Sequence, residues 1–209
     1  MLPGQTVEIG TGEPVEASSS AGIVSATAPD RWRWQAPSTP RIYPVWLAGA
    51  DDTVLVRAAV LVPYREMRRG VLHGYRIGAY PRSRHGDPAY ARPAGFIEVT
   101  EANRSIGVSP HFRLEQFVCK SGAVYPKYLV LQPRLIEKLE RLLDEVNREG
   151  LRAETFHVMS AYRTPRYNRA IGNSTTFTRH QYGDAADIFI DRDPEDGRMD
   201  DLDADRRLT

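Results

Sequence analysis

The feature that most constrains the fold is one long stretch of helical periodicity, which lies among short β-type segments. Pro133 stands where a helix would begin, and Gly150 stands where it would end. Between them, apolar residues recur on one helical face: Leu135, Ile136, Leu139, Leu142, Leu143 and Val146. Residues 155–160 and 185–190 are predicted to form buried strands, with a short helix at 166–171. The pattern predicts an α+β domain, which we place at residues 105–192.

The part of the chain before this domain has a different character. Residues 1–40 are rich in Gly, Ser, Thr, Pro and Ala, which predicts a flexible arm or linker. Within it, we expect Trp32 or Trp34 to pack onto the domain that follows. Residues 41–104 predict a small β-rich domain, because short strand-like segments alternate there with Gly and Pro turns.

Composition excludes several classes of protein. The chain has 209 residues, with 28 basic and 27 acidic side chains and a net charge of +1, and it shows no basic stripe, so we expect no nucleic-acid partner. Cys119 is the single cysteine, which excludes an intramolecular disulfide framework and a four-cysteine zinc site. No run of eighteen apolar residues is present, so we expect no membrane span. We also expect no signal peptide, because residues 1–5 are neither basic nor strongly apolar.

Any transition-metal site in such a chain must use histidines and carboxylates. Three of the five histidines have contexts typical of surface or structural residues: His73, His85 and His111. His157 alternates with apolar neighbours in a predicted strand, which favours a hydrogen-bonded histidine in the core or behind a site. His180 differs, because a hydroxyl, a glycine and a carboxylate follow one another around it.

The segment around His180 has the residues that a metal site needs. Gly183 permits a tight turn, which would let His180 and Asp187 face one point. Asp187 enters the apolar run 188–190, where an unpaired carboxylate would cost several kcal/mol. Its partner could be a zinc ion shared with His180 or a salt bridge to an arginine such as Arg163.

Three motifs in this part of the chain resemble those of one enzyme family. Thr178–Asp187 resembles the S-x-H-x-x-G-x-A-x-D signature of the D-Ala-D-Ala carboxypeptidase-type zinc metallopeptidases, with Thr178 in place of the serine. Ser160–Asn168 is similar to their S-x-Y-R-T-P-x-x-N segment, and Phe112–Phe117 resembles their F-x-L-x-E/Q-F opening. The resemblance covers about residues 109–192.

The resemblance implies a site, a fold and a substrate. His180 and Asp187 match the first two zinc ligands, Arg163 matches the arginine that contacts the substrate carbonyl or oxyanion, and Thr178 matches a hydroxyl residue near the substrate. The implied fold is a small antiparallel-sheet zinc-peptidase domain with flanking helices. Such enzymes hydrolyse peptide bonds in peptidoglycan stem peptides or crosslinks. We therefore expect a monomer in the cell envelope, either periplasmic or extracellular.

The sequence departs from the family pattern after Asp187. The family places its third zinc ligand, a histidine, and its general base, a glutamate or histidine, downstream of this aspartate. No histidine follows Asp187, and Glu195, the only downstream glutamate, lies in an acidic segment. We therefore expect a chain that is C-terminally incomplete and inactive by itself, unless His157 supplies the third ligand. The alternatives are a non-catalytic relative that binds peptidoglycan and an unrelated α+β binding domain.

The acidic tail, residues 193–209, suggests a second metal. Aspartates at alternate positions, followed by Leu208, resemble part of a calcium-binding loop: Asp201, Asp203 and Asp205. Arg206 replaces the loop glycine, however. A disordered acidic tail is the alternative to a calcium site.

Overall fold

The computed structural model describes residues 1–81, 86–192 and 195–202. The chain divides into two compact units. The first comprises Met1–Arg68 and Pro93–Glu98, and the second comprises Arg69–Arg92 and Val99–Thr209. No helix in the described residues combines the length and the apolar character needed to cross a membrane.

The described residues form mostly short strands and only two α-helices. The strands are β1 (Thr6–Gly10), β2 (Glu16–Ser19), β3 (Ile23–Ala28), β4 (Arg31–Gln35), β5 (Arg41–Ala48), β6 (Thr53–Val60), β7 (Val62–Pro63), β8 (Val71–Leu72), β9 (Tyr75–Arg76), β10 (Gly95–Val99), β11 (Lys127–Leu129), β12 (His157–Ser160) and β13 (Asp187–Phe189). The helices are α1 (Pro133–Arg148) and α2 (Pro165–Ala170). Small antiparallel sheets with few helices agree with the predicted α+β class.

The first unit is built from two three-stranded antiparallel sheets. One has the strand order β1-β4-β3, and the other has the order β2-β5-β6. Trp34, Tyr43, Val45 and Leu47 are buried in its core. The indole nitrogen of Trp34 donates to the carbonyl of Ala21 at 2.9 Å, so this large side chain is buried with its polar atom satisfied.

These sheets correct the expectation of a flexible arm at residues 1–40. Four strands, β1 to β4, lie in this segment, and β2 pairs with β5, which begins at Arg41. The Ser- and Gly-rich composition concealed a weak alternation of apolar residues, in which Trp32 and Trp34 lie on the same face of β4 and pack on the same core. Residues 1–40 therefore belong to the first compact unit, and no boundary between units lies near residue 40.

In the second unit, α1 confirms the predicted amphipathic helix. Leu135, Ile136, Leu139 and Leu143 are buried, whereas Leu142 stays exposed at the border of the apolar stripe. The strands predicted on either side of the site are also present, but they are shorter than expected. Among residues 75–80, only Tyr75–Arg76 forms a strand, because the chain turns at Gly78 with φ of 91°.

Candidate active site

The strand pair β12–β13 positions the carboxylate of the candidate site. The two strands run antiparallel, and Ser160 at the end of β12 pairs with Asp187 at the start of β13. A register irregularity lies between Val158 and Ser160. Paired residues in an antiparallel ladder project to the same face, so Ser160 and Asp187 lie side by side.

The candidate histidine is held by one backbone carbonyl. His180 lies in a single 3-10 turn, Arg179–Tyr182, and its Nδ1 is 2.7 Å from the carbonyl oxygen of Ala161. A carbonyl only accepts hydrogen bonds, so Nδ1 carries a proton, and in the neutral imidazole the lone pair is then on Nε2. This Nε2 is 3.5 Å from Oδ1 of Asp187. The imidazole therefore presents Nε2 to the carboxylate.

Arg163 completes the cluster. Its Nε donates to Oγ of Ser160 at 2.7 Å, and its Nη2 donates to Oδ2 of Asp187. The arginine side chain is only 15% exposed, whereas that of Asp187 is 37% exposed. The structure thus contains the salt bridge that the sequence left open, together with the approach of His180 to the other carboxylate oxygen.

A glycine is required to bring His180 to this point. Gly183 ends the 3-10 turn with φ of 68° and ψ of 27°, in the left-handed region. A Cβ at this position would collide with the backbone carbonyl of Val130. The Gly183 carbonyl also accepts the N–H of Gln132, directly before α1, at 2.9 Å. The turn predicted at Gly183 is therefore confirmed, and it is packed against the chain that enters the helix.

Two tyrosines that the sequence analysis missed lie beneath the cluster. The hydroxyl of Tyr80 donates to the carbonyl of Gln181 at 2.9 Å, and it lies 2.8 Å from the hydroxyl of Tyr162. Burial raises the pKa of Tyr162 well above its usual value, so this hydroxyl keeps its proton. The pair joins the residue before Arg163 to the residue after His180. No sequence signal singled out Tyr80, because its partners are about a hundred residues away along the chain.

Thr178, the fourth residue implied by the resemblance, is half-buried at the start of the 3-10 turn. Its carbonyl accepts the N–H of Gln181 at 3.0 Å, and its side chain makes no capping hydrogen bond. In the described part of the chain, no hydrogen bond joins its side chain to Arg163, His180 or Asp187.

His157 forms a second histidine–carboxylate pair, with Asp191. Its Nδ1 is 3.2 Å from Oδ2 of Asp191, and its ring stacks on Phe189 at a centroid distance of 4.4 Å. The ring is half-exposed, which differs from the core histidine that the sequence favours. Within residues 1–81, 86–192 and 195–202, no three His, Cys, Asp or Glu side chains lie close enough together to hold a metal ion. His157 therefore does not join His180 and Asp187 in this structure.

The calcium prediction concerns residues that are only partly described. Asp201 is exposed, whereas Asp203 and Asp205 lie outside the described residues. Upstream, the carboxylate of Asp191 accepts the backbone N–H groups of Asp196 and Gly197 at 2.9 and 3.0 Å. These bonds join Asp191, which lies shortly after β13, to the backbone of the acidic tail.

The sequence model of one family, described as Peptidase M15, matches residues 110–199, which include Arg163, His180 and Asp187 but not Tyr80. This segment of the chain belongs to the peptidase M15 family. The peptidase M15 segment covers less than half of the chain. Its membership removes the alternative of an unrelated binding domain, because M15 enzymes are zinc peptidases of the D-Ala-D-Ala carboxypeptidase type. Comparisons with curated proteins and with solved structures gave no match.

Proposed function

We propose that this protein is a zinc-dependent peptidase that hydrolyses peptide bonds in peptidoglycan stem peptides or their crosslinks. The observation that carries the proposal is the convergence of His180, Asp187 and Arg163, with Nε2 of the histidine 3.5 Å from Oδ1 of the aspartate. His180 and Asp187 come from one motif of the peptidase M15 segment and Arg163 comes from another, and the three side chains meet in the folded chain. The work of such an enzyme would lie in the cell envelope, where its substrate is found.

The residues present fit a zinc ion. Imidazole nitrogen and carboxylate oxygen are both common zinc ligands, and because Nδ1 of His180 donates to Ala161, Nε2 is the ring nitrogen that would bind the ion. His180 and Asp187 would hold the ion, while Arg163 keeps its bond to Oδ2 of the same aspartate. The third ligand and the general base that the resemblance implies are not among the described residues.

A bound zinc ion supplies Lewis acidity, which activates water and polarises a carbonyl at neutral pH. The chain's own residues supply the rest of the proposed chemistry. Arg163 stays charged and offers N–H donors to the oxygen that becomes negative when a peptide bond is attacked. Thr178 would contact the substrate from the edge of the same turn that carries His180. Asp187 orients Arg163 in addition to holding the ion.

A second candidate function is binding of wall peptides without cleavage. The ion pair between Arg163 and Asp187 favours it, because this contact already compensates the charge of the aspartate without a metal. A catalytically inactive relative would bind the carboxylate or carbonyl groups of a stem peptide through the remaining donors of Arg163.

Metal analysis combined with a hydrolysis assay on D-alanyl stem peptides separates these functions. In a protein that also supplies the third ligand and the general base, we expect zinc retention and release of amino acid from the peptide, and we expect His180→Ala to lose both properties. Residues 1–209 by themselves are expected not to cleave the peptide. His111→Ala is the matched control, since His111 pairs with the carboxylate of Glu140 at 2.6 Å but lies outside the cluster. Peptide binding without zinc and without cleavage would contradict the peptidase and support the binding protein.

A further inference from the structure

Ser160 makes one contact that bears directly on the arginine of the site. Its Oγ accepts a hydrogen bond from Nε of Arg163 at 2.7 Å, three residues along the chain. Ser160 is the last residue of β12, and it pairs across the ladder with Asp187. The hydroxyl is therefore fixed to the same strand pair as the carboxylate that accepts from Nη2 of the guanidinium.

The chemistry of the guanidinium group makes this contact selective. The group is planar and rigid, and its Nε–H and one Nη2–H point from the same edge. In Arg163, that edge is occupied by Ser160 and Asp187. Among the described residues, the Nη1 nitrogen of Arg163 donates to no partner. Two anchors on one edge fix the plane and leave the donors of the opposite end available.

Because Arg163 is largely buried, loss of its hydrogen bond to Ser160 would cost free energy. The side chain is only 15% exposed, so an Nε–H without an acceptor would lose most of its hydration and gain nothing in return. With Asp187 as its single anchor, the group could also rotate about its terminal bonds. Removing the serine hydroxyl would thus both leave a donor unpaired and loosen the orientation of the plane.

We propose that Ser160 is a positioning residue for the reaction: it holds Nε of Arg163 so that the Nη1 end of the guanidinium remains directed to the substrate oxygen. The inference rests on the proposed peptidase function and deepens it. Ser160 acts through Arg163 and does not itself touch the substrate.

A pair of variants isolates the hydroxyl. Thr and Val have nearly the same shape and both suit a strand, but only Thr keeps the acceptor oxygen. We expect Ser160→Val to lower kcat about tenfold with little change in KM, which is the signature of an interaction used in the transition state. Ser160→Thr should restore kcat to within about twofold of the original enzyme. Zinc content and melting temperature should be the same in both variants.

A double-mutant cycle tests whether the effect passes through Arg163. In the Arg163→Ala background, we expect Ser160→Val to leave kcat/KM unchanged, because the residue it orients is absent. An equal loss in both backgrounds would show that Ser160 has a separate structural role and would overturn the proposal. So would a Ser160→Val enzyme with the original kcat.

Hydrogen exchange of the Arg163 Nε–H in the metal-free protein gives a readout that needs no activity. We expect slow exchange in the original protein and in Ser160→Thr, and exchange at least tenfold faster in Ser160→Val. Equal exchange in all three proteins would overturn the positioning role even where zinc binding and hydrolysis are found. Conversely, a protein with neither zinc nor hydrolysis but with protected Nε–H would contradict the peptidase while leaving the contact intact.

Discussion

Two histidine–carboxylate pairs lie at the β12–β13 strand pair, and they differ in what else holds the carboxylate. In the pair His180–Asp187, the second partner is a side chain, Arg163, and the carboxylate is 37% exposed. In the pair His157–Asp191, the carboxylate is 8% exposed and accepts two backbone N–H groups. The two aspartates are close together in the sequence, but their exposure and their hydrogen-bond partners differ.

The difference separates a carboxylate that can serve chemistry from one that serves the fold. Side-chain partners and partial exposure leave Asp187 able to share its charge with a cation. The backbone donors to Asp191 come from Asp196 and Gly197, which are exposed, so this carboxylate holds the chain that follows β13. A histidine beside a carboxylate is therefore a weak indicator of a site until the other partners of the carboxylate are known.

The largest expected effect comes from removing the exposed carboxylate. Asp187→Asn should abolish hydrolysis and weaken zinc retention more than about 100-fold, beyond the range for loss of an outer-shell partner. Asp191→Asn should leave zinc retention unchanged. Equilibrium dialysis with metal analysis on the two variants makes the comparison directly. Equal zinc retention would mean that the two carboxylates do not differ in function.

Next in size is the loss of the arginine. Arg163→Ala should lower kcat/KM about 10²–10³-fold at saturating zinc, which is the usual cost of removing one oxyanion donor. Arg33→Ala is a suitable control, because Arg33 forms an exposed ion pair with Glu8 in the first unit. Steady-state kinetics on a stem peptide provides the measurement. Near-normal turnover of Arg163→Ala would assign the arginine to Asp187 alone.

A moderate effect on stability is expected at the second pair. Asp191→Ala should lower the free energy of unfolding by about 0.5–1.5 kcal/mol, because the exposed N–H groups of Asp196 and Gly197 exchange their acceptor for water. Glu8→Ala, which removes an exposed carboxylate, should change it by less than about 0.5 kcal/mol. Urea denaturation measures both. If the two variants were equally stable, the chain that follows β13 would not depend on Asp191.

How well the sequence predicts a feature of this protein depends on how far apart along the chain the interacting residues lie. The helix α1 and the turn at Gly183 are encoded locally, in an apolar stripe and in a glycine, and the structure confirms both. The motifs also predict which residues to examine, because His180, Asp187 and Arg163 do meet. The contact between Ser160 and Arg163 lies inside a recognised motif but needs side-chain geometry to be seen.

Other features could not be predicted because they depend on pairing over long distances. The strands of residues 1–40 are stabilised mainly by their neighbours, and β2 finds its partner β5 more than twenty residues further along the chain. The amino-acid composition of a segment does not reveal such pairing. The same holds for Tyr80, whose hydroxyl meets Tyr162 and Gln181 only in the folded chain.

The smallest expected effect concerns a buried charge without any carboxylate. In the described part of the chain, Lys127 forms no ion pair; its Nζ donates to the carbonyl of Cys119 at 3.2 Å. Burial lowers the pKa of Lys127 below its usual 10.5, so above the folded-state pKa the unfolded chain binds more protons. Stability should therefore rise as pH increases through that pKa toward 10.5.

The variant Lys127→Met should lack this rise. Denaturation at pH 7 and pH 10 gives the difference for each protein, and contributions from other titrating groups cancel between them. An identical change in stability for both proteins would show that burial does not penalise the ammonium group. Lys127 thus extends the comparison from two carboxylates with different partners to an ammonium group that forms no ion pair in the described part of the chain.

The packing of Gly183 against Val130 has a mechanical consequence. The turn that carries His180 packs against the chain entering α1. A displacement of the helix would therefore also move the imidazole. A saturation mutagenesis screen would record Gly183 as intolerant, although it offers no side chain to any ligand. Insertions or deletions between Val130 and Pro133 would have a similar effect, because they would displace the turn that carries His180.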